Sequence, residues 1–447
     1  MKKRIRLIPV LLTLCIICSA LAGCDVVDSL RSTVSDQFRD DGGQYQTVRG
    51  MTFSYSPYYT PATSRYSYQQ LNDGQKQLYD RILEGIYAIS PERDPSLGVY
   101  QMKPVRVNAL LTIAQMRIAI RALTNDNPYL FWLSQSFSHL TDVGNNTTEV
   151  VAYSEFAPET LAVLLQQLDA VTDSFFASVP SGLSAYQREK LVHDYIIDNC
   201  AYDREIAALT QVDEQNIKGH SIYGALVDRR CVCEGYGMTM QFLLNGLGVD
   251  CVTMTGMSYN SSLNSDSHES VLHLWNAVLL DDTWYHVDPT WDDQAEQIQH
   301  YVYFNLSDAI IQKDHTISAL FDQVEDERIA ENGTEDVNLY IPLCSSMDYN
   351  YYIYECPHLT RYDSAEVKEG LLQAAQNREP YYTFYVDPDE LDYDKAVKKL
   401  FKDSPQYFFG YIEYVNDRLY DHEIDNNNLT YYLNKERSSI SVQLKYY

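Results

Sequence analysis

The stretch Cys231-Val232-Cys233-Glu234-Gly235-Tyr236-Gly237 is the part of the chain that decides its fold. The apolar segment 238–244 follows it and predicts a short helix that ends at Gly246 and Gly248. Cys233 would then stand at the first turn of this helix. Backbone N–H groups and the helix dipole favour a thiolate there and lower the pKa of a cysteine. The stretch therefore predicts Cys233 as a nucleophile.

A nucleophilic cysteine requires a base, and His273 is the candidate. His273 lies in a predicted strand, 271–280, whose alternation places it on the same face as Trp275. A two-residue turn at Asp281-Asp282 would fold the next strand back, so that Asp288 lies diagonally across from His273. A carboxylate in that position orients an imidazole and stabilises its charged form. The spacing thus predicts a triad of Cys233, His273 and Asp288.

Three blocks of sequence stand in a distinctive order: Cys233-Glu234-Gly235-Tyr236, His273-Leu274-Trp275-Asn276, and Trp284-Tyr285-His286-Val287-Asp288-Pro289-Thr290-Trp291. Over about residues 183–305 the chain resembles the transglutaminase-like superfamily, in particular its bacterial members. The resemblance implies an α+β fold with a papain-like core, in which helices pack on an antiparallel sheet. It also implies that Cys233, His273 and Asp288 form a catalytic triad that attacks amides.

The resemblance leaves the fate of the acyl group open. It implies a cysteine-dependent enzyme that acts on peptide or protein amides. Hydrolysis by a protease or amidase is expected, because water at about 55 M outcompetes an amine that no site holds. No amine-binding feature can be read from the sequence. The alternatives are a protein cross-linking transglutaminase and a catalytically inactive surface module for binding or adhesion.

Other residues near the triad have secondary predictions. Relatives often carry an aromatic residue at the position of Tyr202, and its hydroxyl is a candidate to support an oxyanion beside the Cys233 amide. Asn276 is expected on the opposite strand face from His273, in a structural role. Cys231, Cys233 and a histidine would supply three zinc ligands, but the sequence offers no fourth. Neither a metal nor another cofactor is predicted.

Charge and the first residues predict location and partners. The 447 residues contain 34 Lys and Arg against 62 Asp and Glu, for a net charge of −28, which disfavours nucleic acid as a partner. A basic start and the apolar run 7–20 predict a signal peptide over residues 1–23. Leu21-Ala22-Gly23-Cys24 resembles a bacterial lipobox, which implies lipidation of Cys24. An extracytoplasmic lipoprotein anchored to the bacterial cell membrane is expected, with a peptide or protein substrate at the cell surface.

The remaining sequence predicts the domain organisation. Residues 24–66 lack an apolar period and are predicted to be a flexible tether. An N-terminal α/β domain is expected over 67–182, the transglutaminase-like catalytic domain over 183–318, and a C-terminal α+β domain over 319–447. Ser184 and Gln187 predict a capping box, and the segment 349–354 predicts a strand. Cys344 and Cys356 are candidates for a disulfide, which the sequence cannot establish.

Overall fold

The computed structural model describes residues 46–47, 65–209, 213–259, 270–294, 300–318, 341–420, 422–427 and 429–447. These residues divide into two compact units. The first contains the described residues of Met1–Thr290 and Asp308–Ser345, and the second those of Trp291–Ser307 and Ser346–Tyr447. The leader, Cys24 and most of the predicted tether lie outside the described residues. In the part of the chain that the structure describes, no helix has the length and apolar character needed to cross a bilayer.

The N-terminal part of the first unit combines a six-stranded sheet with helices. Its antiparallel strands follow the order β1-β2-β3-β6-β4, with β5 also paired to β6. The elements are α1 (Tyr66–Gln69), α2 (Asp73–Glu84), α3 (Ile113–Asp126), α4 (Pro158–Ser178), β1 (Gln46–Thr47), β2 (Ala88–Arg93), β3 (Tyr100–Met102), β4 (Val105–Val107), β5 (Leu133–Asp142) and β6 (Thr147–Ser154).

The rest of the first unit carries the predicted triad. A four-stranded antiparallel sheet has the order β11-β10-β9-β12, and a small parallel pair joins β7 to β8. The elements are α5 (Ala185–Asn199), α6 (Arg204–Ala207), α7 (Glu214–Gly219), α8 (Cys233–Gly246), α10 (Asp308–Ile311), β7 (Ala201–Tyr202), β8 (Arg230–Cys231), β9 (Cys251–Tyr259), β10 (Ser270–Leu280), β11 (Thr283–Val287) and β12 (His315–Ser318). Helix α9 (Pro289–Gln294) begins in this unit, and its residues from Trp291 onward belong to the second unit.

The second unit has its own core around a four-stranded sheet of order β13-β14-β16-β15. Its elements are α11 (Tyr351–Tyr354), α12 (Ala365–Gln376), α13 (Tyr393–Phe401), α14 (Tyr407–Asn416), β13 (His358–Leu359), β14 (Tyr381–Val386), β15 (Thr430–Asn434) and β16 (Ser439–Gln443). Leu371, Phe384 and Phe408 lie fully buried in this core.

Local signals in the sequence account for several helix boundaries. The predicted capping box at Ser184 is confirmed: its hydroxyl accepts from the Gln187 N–H, and the Gln187 side chain accepts from the Ser184 N–H. The strand predicted over 349–354 is wrong, because Asn350 caps a short helix there and accepts from the Tyr352 N–H. Asparagine side chains compete for backbone N–H groups in this way and favour helix starts over strands.

The fold class agrees with the expectation of an α+β protein with helices packed on an antiparallel sheet. Helix α8 packs on β9 and β10, the two central strands of the four-stranded sheet. Gly237 permits this close approach, because a Cβ at that position would collide with the Leu274 side chain of β10. Asn276 then ties the two layers together, since its amide donates to the Gly237 carbonyl at 2.9 Å. This packing fixes the first turn of α8 against β10.

Candidate active site

Cys233 is the first residue of α8, as predicted, and Val232 is the N-cap. Backbone hydrogen bonds fix the two residues before Cys233. The Cys231 carbonyl accepts from the Asp203 N–H at 2.9 Å, and the Val232 N–H donates to the Gly219 carbonyl at 3.0 Å. The Cys233 sulfur accepts from the backbone N–H of Leu274, which also favours the lower pKa of a thiolate. Cys233 is thereby placed beside the strand residue that follows His273.

The electrostatics of Cys233 differ from the sequence-based expectation of a lowered pKa. Burial raises the pKa of this thiol well above its ordinary value, and the Glu234 carboxylate raises it further. Only 9% of Cys233 is exposed, and its thiol donates to Glu234 Oε2 at 3.4 Å. Burial and an adjacent negative charge outweigh the helix dipole, because both act directly on the sulfur. The resting side chain is a neutral thiol.

His273 and Asp288 form a short contact inside the sheet. His273 lies on β10 and Asp288 follows β11 directly. The predicted two-residue turn at Asp281-Asp282 is confirmed, since Leu280 pairs with Thr283. The Nε2–H of His273 donates to Asp288 Oδ2 at 2.6 Å, and both side chains are buried. Burial opposes ionisation of Asp288, but the neighbouring imidazoles hold the pKa of its carboxyl below its ordinary value. Asp288 is therefore a buried carboxylate that orients His273.

His315 is a buried histidine at this site that no motif in the sequence predicts. Its Nε2–H donates to Asp288 Oδ2 at 3.1 Å, and its Nδ1–H donates to Asp314 Oδ1 at 2.7 Å. Burial disfavours the charged ring, yet the bonds to Asp288 and Asp314 raise the pKa of His315 to about 9. A ring that donates from both nitrogens to carboxylates is an imidazolium. The site therefore contains the chain His273–Asp288–His315–Asp314.

The arrangement of β9 explains how His273 and His315 meet. Strand β9 lies between β10 and β12, with Gly256 opposite His273 and Ser258 opposite His315. The ring centroids of His273 and His315 lie 5.3 Å apart. A Cβ at Gly256 would collide with the Thr316 backbone. The only signal in the sequence was an Asp-His pair before a possible strand, which is too common to stand out.

Glu234 and His220 form an ion pair next to Cys233. His220 Nδ1 donates to Glu234 Oε2 at 3.0 Å. Burial opposes ionisation of Glu234, but the His220 charge lowers the pKa of its carboxyl to about 2, and the pair raises the pKa of His220. Glu234 thus remains a carboxylate against the Cys233 thiol. Glu234 belongs to the motif Cys233-Glu234-Gly235-Tyr236, but the motif does not predict this contact.

Tyr202 and Asn276, the two secondary candidates, have different surroundings. Tyr202 lies on β7, and burial followed by the nearby Cys233 and Glu234 raises the pKa of its phenol. It therefore stays protonated and able to donate near the sulfur. Asn276 is fully buried and bonds the Gly237 carbonyl, in keeping with the structural role expected of it.

Two groups of described residues each bring three potential metal-ligand atoms within 4.8 Å of one another. One is the hydrogen-bonded set His273, Asp288 and His315 already described. The other is His286, Asp308 and Cys344. In that second group Trp275 Nε1–H donates to His286 Nδ1 at 3.1 Å, so the ring proton sits on Nε2 and is donated to Asp308 at 2.7 Å. The nitrogen that would face a metal is thus already protonated.

The other cysteines that the sequence singled out are the zinc candidate Cys231 and the disulfide candidates Cys344 and Cys356. Cys231, a zinc candidate with Cys233, has its sulfur 3.4 Å from that of Cys200. Cys344 and Cys356, the disulfide candidates, are both buried thiols and belong to different units.

Comparison with known proteins bears on the same segment. Residues 176–289 match the model of the transglutaminase-like superfamily. Mouse kyphoscoliosis peptidase is 29% identical over 144 residues, covering 29% of this chain and 20% of the relative. The human kyphoscoliosis peptidase is 30% identical over 109 residues, covering 24% and 15%. The chain thus spans at most a fifth of the length of these relatives.

A solved structure described as a TGase is 17% identical, covers 42% of this chain and 52% of its own, and has a TM-score of 0.24. The superfamily match contains Cys233, His273 and Asp288, while His315 lies beyond its end. The match, and not the structural likeness, supports the assignment. Over residues 176–289 the chain is therefore similar to the transglutaminase-like superfamily.

Proposed function

We propose that the protein is a cysteine-dependent hydrolase of peptide or protein amides, with Cys233 as nucleophile, His273 as base and Asp288 as the group that orients the base. The observation that carries this proposal is the 2.6 Å bond between His273 and Asp288, beside a cysteine at a helix start. The sulfur contacts the N–H of Leu274, the neighbour of His273 on β10. A nucleophile, a base and an orienting carboxylate are the parts that acyl transfer requires.

The neutral thiol determines how the reaction begins. Because the pKa of Cys233 is raised, a preformed thiolate is not the resting state, and proton removal accompanies substrate binding. The Nε2–H of His273 is committed to Asp288, so Nδ1 receives the thiol proton as the sulfur attacks the amide carbon. The Cys233 backbone N–H at the start of α8 supports the developing oxyanion, with Tyr202 as a second donor.

The tetrahedral intermediate then collapses to an acyl-enzyme. The protonated His273 returns its proton to the departing amine, and an acyl thioester remains on Cys233. Water deprotonated by His273 attacks this thioester, releases the acid and restores the thiol. The charge that passes through His273 is balanced by Asp288, whose carboxylate is in turn paired with the His315 imidazolium.

Hydrolysis is proposed over amine transfer, and the relatives named as peptidases support it. The test incubates the protein with a peptide substrate and an excess of a labelled primary amine. Free acid as the main product supports the proposal. A main product that carries the labelled amine, and that disappears in Cys233→Ala, would instead identify a cross-linking transglutaminase.

An inactive binding module is the remaining alternative, and covalent capture distinguishes it from an enzyme. A peptide with an electrophilic carbonyl analogue should label Cys233, as located by mass spectrometry. His273→Ala should slow the labelling strongly, while Cys356→Ser, a change in the second unit, should leave the rate unaltered. Equal labelling rates in wild type and His273→Ala would favour the binding module.

We also propose that the protein works outside the cytoplasm, anchored to the bacterial membrane through lipidated Cys24. The sequence Leu21-Ala22-Gly23-Cys24 after an apolar leader supports this. Fractionated cells should yield the wild-type protein with the membrane, carrying a lipid adduct on Cys24. The Cys24→Ala protein should lose that adduct. A wild-type protein without any lipid mass would refute the anchor and leave the chemistry untouched.

A further inference from the structure

Two buried thiols meet next to the start of the catalytic helix. Cys200 is the C-cap of α5, and Cys231 is the last residue of β8, two residues before Cys233. Strand β7 follows Cys200 directly and pairs in parallel with β8, where Tyr202 lies opposite Cys231. This pairing brings the two sulfur atoms to 3.4 Å from each other. Cys200 is 8% exposed and Cys231 is fully buried.

We propose that Cys200 and Cys231 form an intramolecular disulfide that fixes the backbone leading into Cys233. A disulfide has an S–S distance of about 2.05 Å, so the two sulfurs need to approach by only about 1.4 Å. The other sulfur nearby is differently engaged, because the Cys233 thiol contacts the Glu234 carboxylate at 3.4 Å and the Leu274 N–H. Geometry therefore favours Cys200 over Cys233 as the partner of Cys231.

The chemistry of the bond requires a disulfide oxidant, for which oxidised glutathione is a suitable probe. One cysteine thiolate attacks a sulfur of the oxidant and releases one glutathione thiolate, which leaves a mixed disulfide. The second cysteine thiolate then displaces the other glutathione. The two cysteines lose two protons and two electrons, and the oxidant becomes two molecules of glutathione. No other reactant is needed.

Burial determines when this exchange happens. The pKa of Cys231 is raised well above its ordinary value by burial, with the Cys200 thiol contributing, and a buried thiol exchanges slowly. We therefore place formation of the bond during folding, before β7 and β8 enclose the sulfurs. Once the bond is made, the same enclosure protects it from reductants.

The bond would act on the segment that carries the nucleophile. Cys231 accepts from the Asp203 N–H, and Gly235 in the first turn of α8 packs against its side chain. Linking Cys231 to the end of α5 would therefore hold β7, β8 and the start of α8 as one piece. It would also remove a second thiol two residues from Cys233. The proposal does not depend on the catalytic role of Cys233.

The test refolds the reduced, unfolded full chain in a mixture of reduced and oxidised glutathione. Remaining thiols are blocked with iodoacetamide, and the peptides are mapped by mass spectrometry. We expect a cross-linked Cys200–Cys231 peptide pair with a mass about 2 Da below the sum of its parts, and an alkylated Cys233. Alkylation of both Cys200 and Cys231, a glutathione adduct on either, or a Cys231–Cys233 bond would each overturn the proposal.

A stability measurement adds a second readout that needs no activity. Reductant present during refolding should lower the melting temperature of wild type by several degrees, because the closed loop between Cys200 and Cys231 is released. Cys200→Ala should be insensitive to the reductant, and the control Cys356→Ser should respond as wild type does. If Cys200→Ala does not fold, the wild-type peptide map alone decides. Equal sensitivity of wild type and Cys200→Ala would refute the bond.

Discussion

The ion pair between His315 and Asp288 predicts how stability depends on pH. His315 is charged in the folded protein up to a pKa of about 9, against an ordinary value of 6.5. Because the folded-state pKa is raised, the stabilisation by this group is complete below pH 6.5 and is lost as pH rises through 9. The difference between these two pKa values corresponds to about 3 kcal/mol of unfolding free energy. Solvent does not screen this contribution, because the His315 ring is fully buried.

His315→Gln isolates this charge, since glutamine retains a donor for Asp288 but cannot become a cation. The gap in unfolding free energy between wild type and His315→Gln should shrink by about 3 kcal/mol between pH 6 and pH 10. Urea unfolding followed by tryptophan fluorescence is the assay. Trp132 and Trp275 are buried in the first unit, and Trp275 lies 5.1 Å from the His315 ring, centroid to centroid.

His139→Gln serves as the matched control, because His139 lies partly exposed on β5 and not at the triad. Its pH profile should run parallel to that of wild type. If the gap between wild type and His315→Gln stays constant over this range to within about 0.5 kcal/mol, then His315 is not a cation paired with Asp288, and the reasoning fails.

Three further predictions concern other sites. Glu234→Gln removes the carboxylate beside the Cys233 thiol, so iodoacetamide should label Cys233 severalfold faster at neutral pH. An unchanged labelling rate would mean that burial alone suppresses the thiolate. Burial raises the pKa of Asp126 to about 7, so the folded state binds a proton that the unfolded state lacks between about pH 4 and 7. The free energy of unfolding should therefore fall by about 4 kcal/mol as pH rises across that interval, and Asp126→Asn should flatten this part of the profile in urea titrations. Gly235→Ala would place a Cβ 2.6 Å from Cys231 Sγ and should lower the free energy of unfolding by about 1–3 kcal/mol. The control Gly410→Ala, at an exposed position in α14, should raise the free energy of unfolding by about 0.5–1 kcal/mol. Thermal unfolding of Gly235→Ala that matches wild type would contradict the packing of Gly235 against Cys231.

Local patterns were sufficient to locate the elements of the site. The glycine-punctuated apolar run predicted a helix that begins at Cys233, and the Asp281-Asp282 turn predicted the register between β10 and β11. These features follow from residues close together in the chain. Side-chain alternation has a period of two residues, so a register set at the turn places Asp288 near His273.

Competition between local signals explains where prediction failed. The Tyr- and Ile-rich composition of 349–354 favours a strand, but the Asn350 side chain caps a helix there. The helix dipole predicted a lowered pKa for Cys233, but it is a weaker influence than burial and the Glu234 carboxylate. Glu234 is adjacent to Cys233 in sequence, but its effect on the pKa of the thiol depends on the direction of its side chain and on its ion pair with His220. The sequence fixes neither of these.

The sequence by itself predicted the positions of Cys233, His273 and Asp288, because one helix start and one hairpin turn set them. Only the tertiary structure decided what surrounds them. His315 reaches Asp288 through β12, which pairs with β9 at a distance in the chain, and Cys200 reaches Cys231 through the pairing of β7 with β8. Both contacts require packing of strands that no local pattern aligns, and burial, which sets the charge of each group, exists only after that packing is complete.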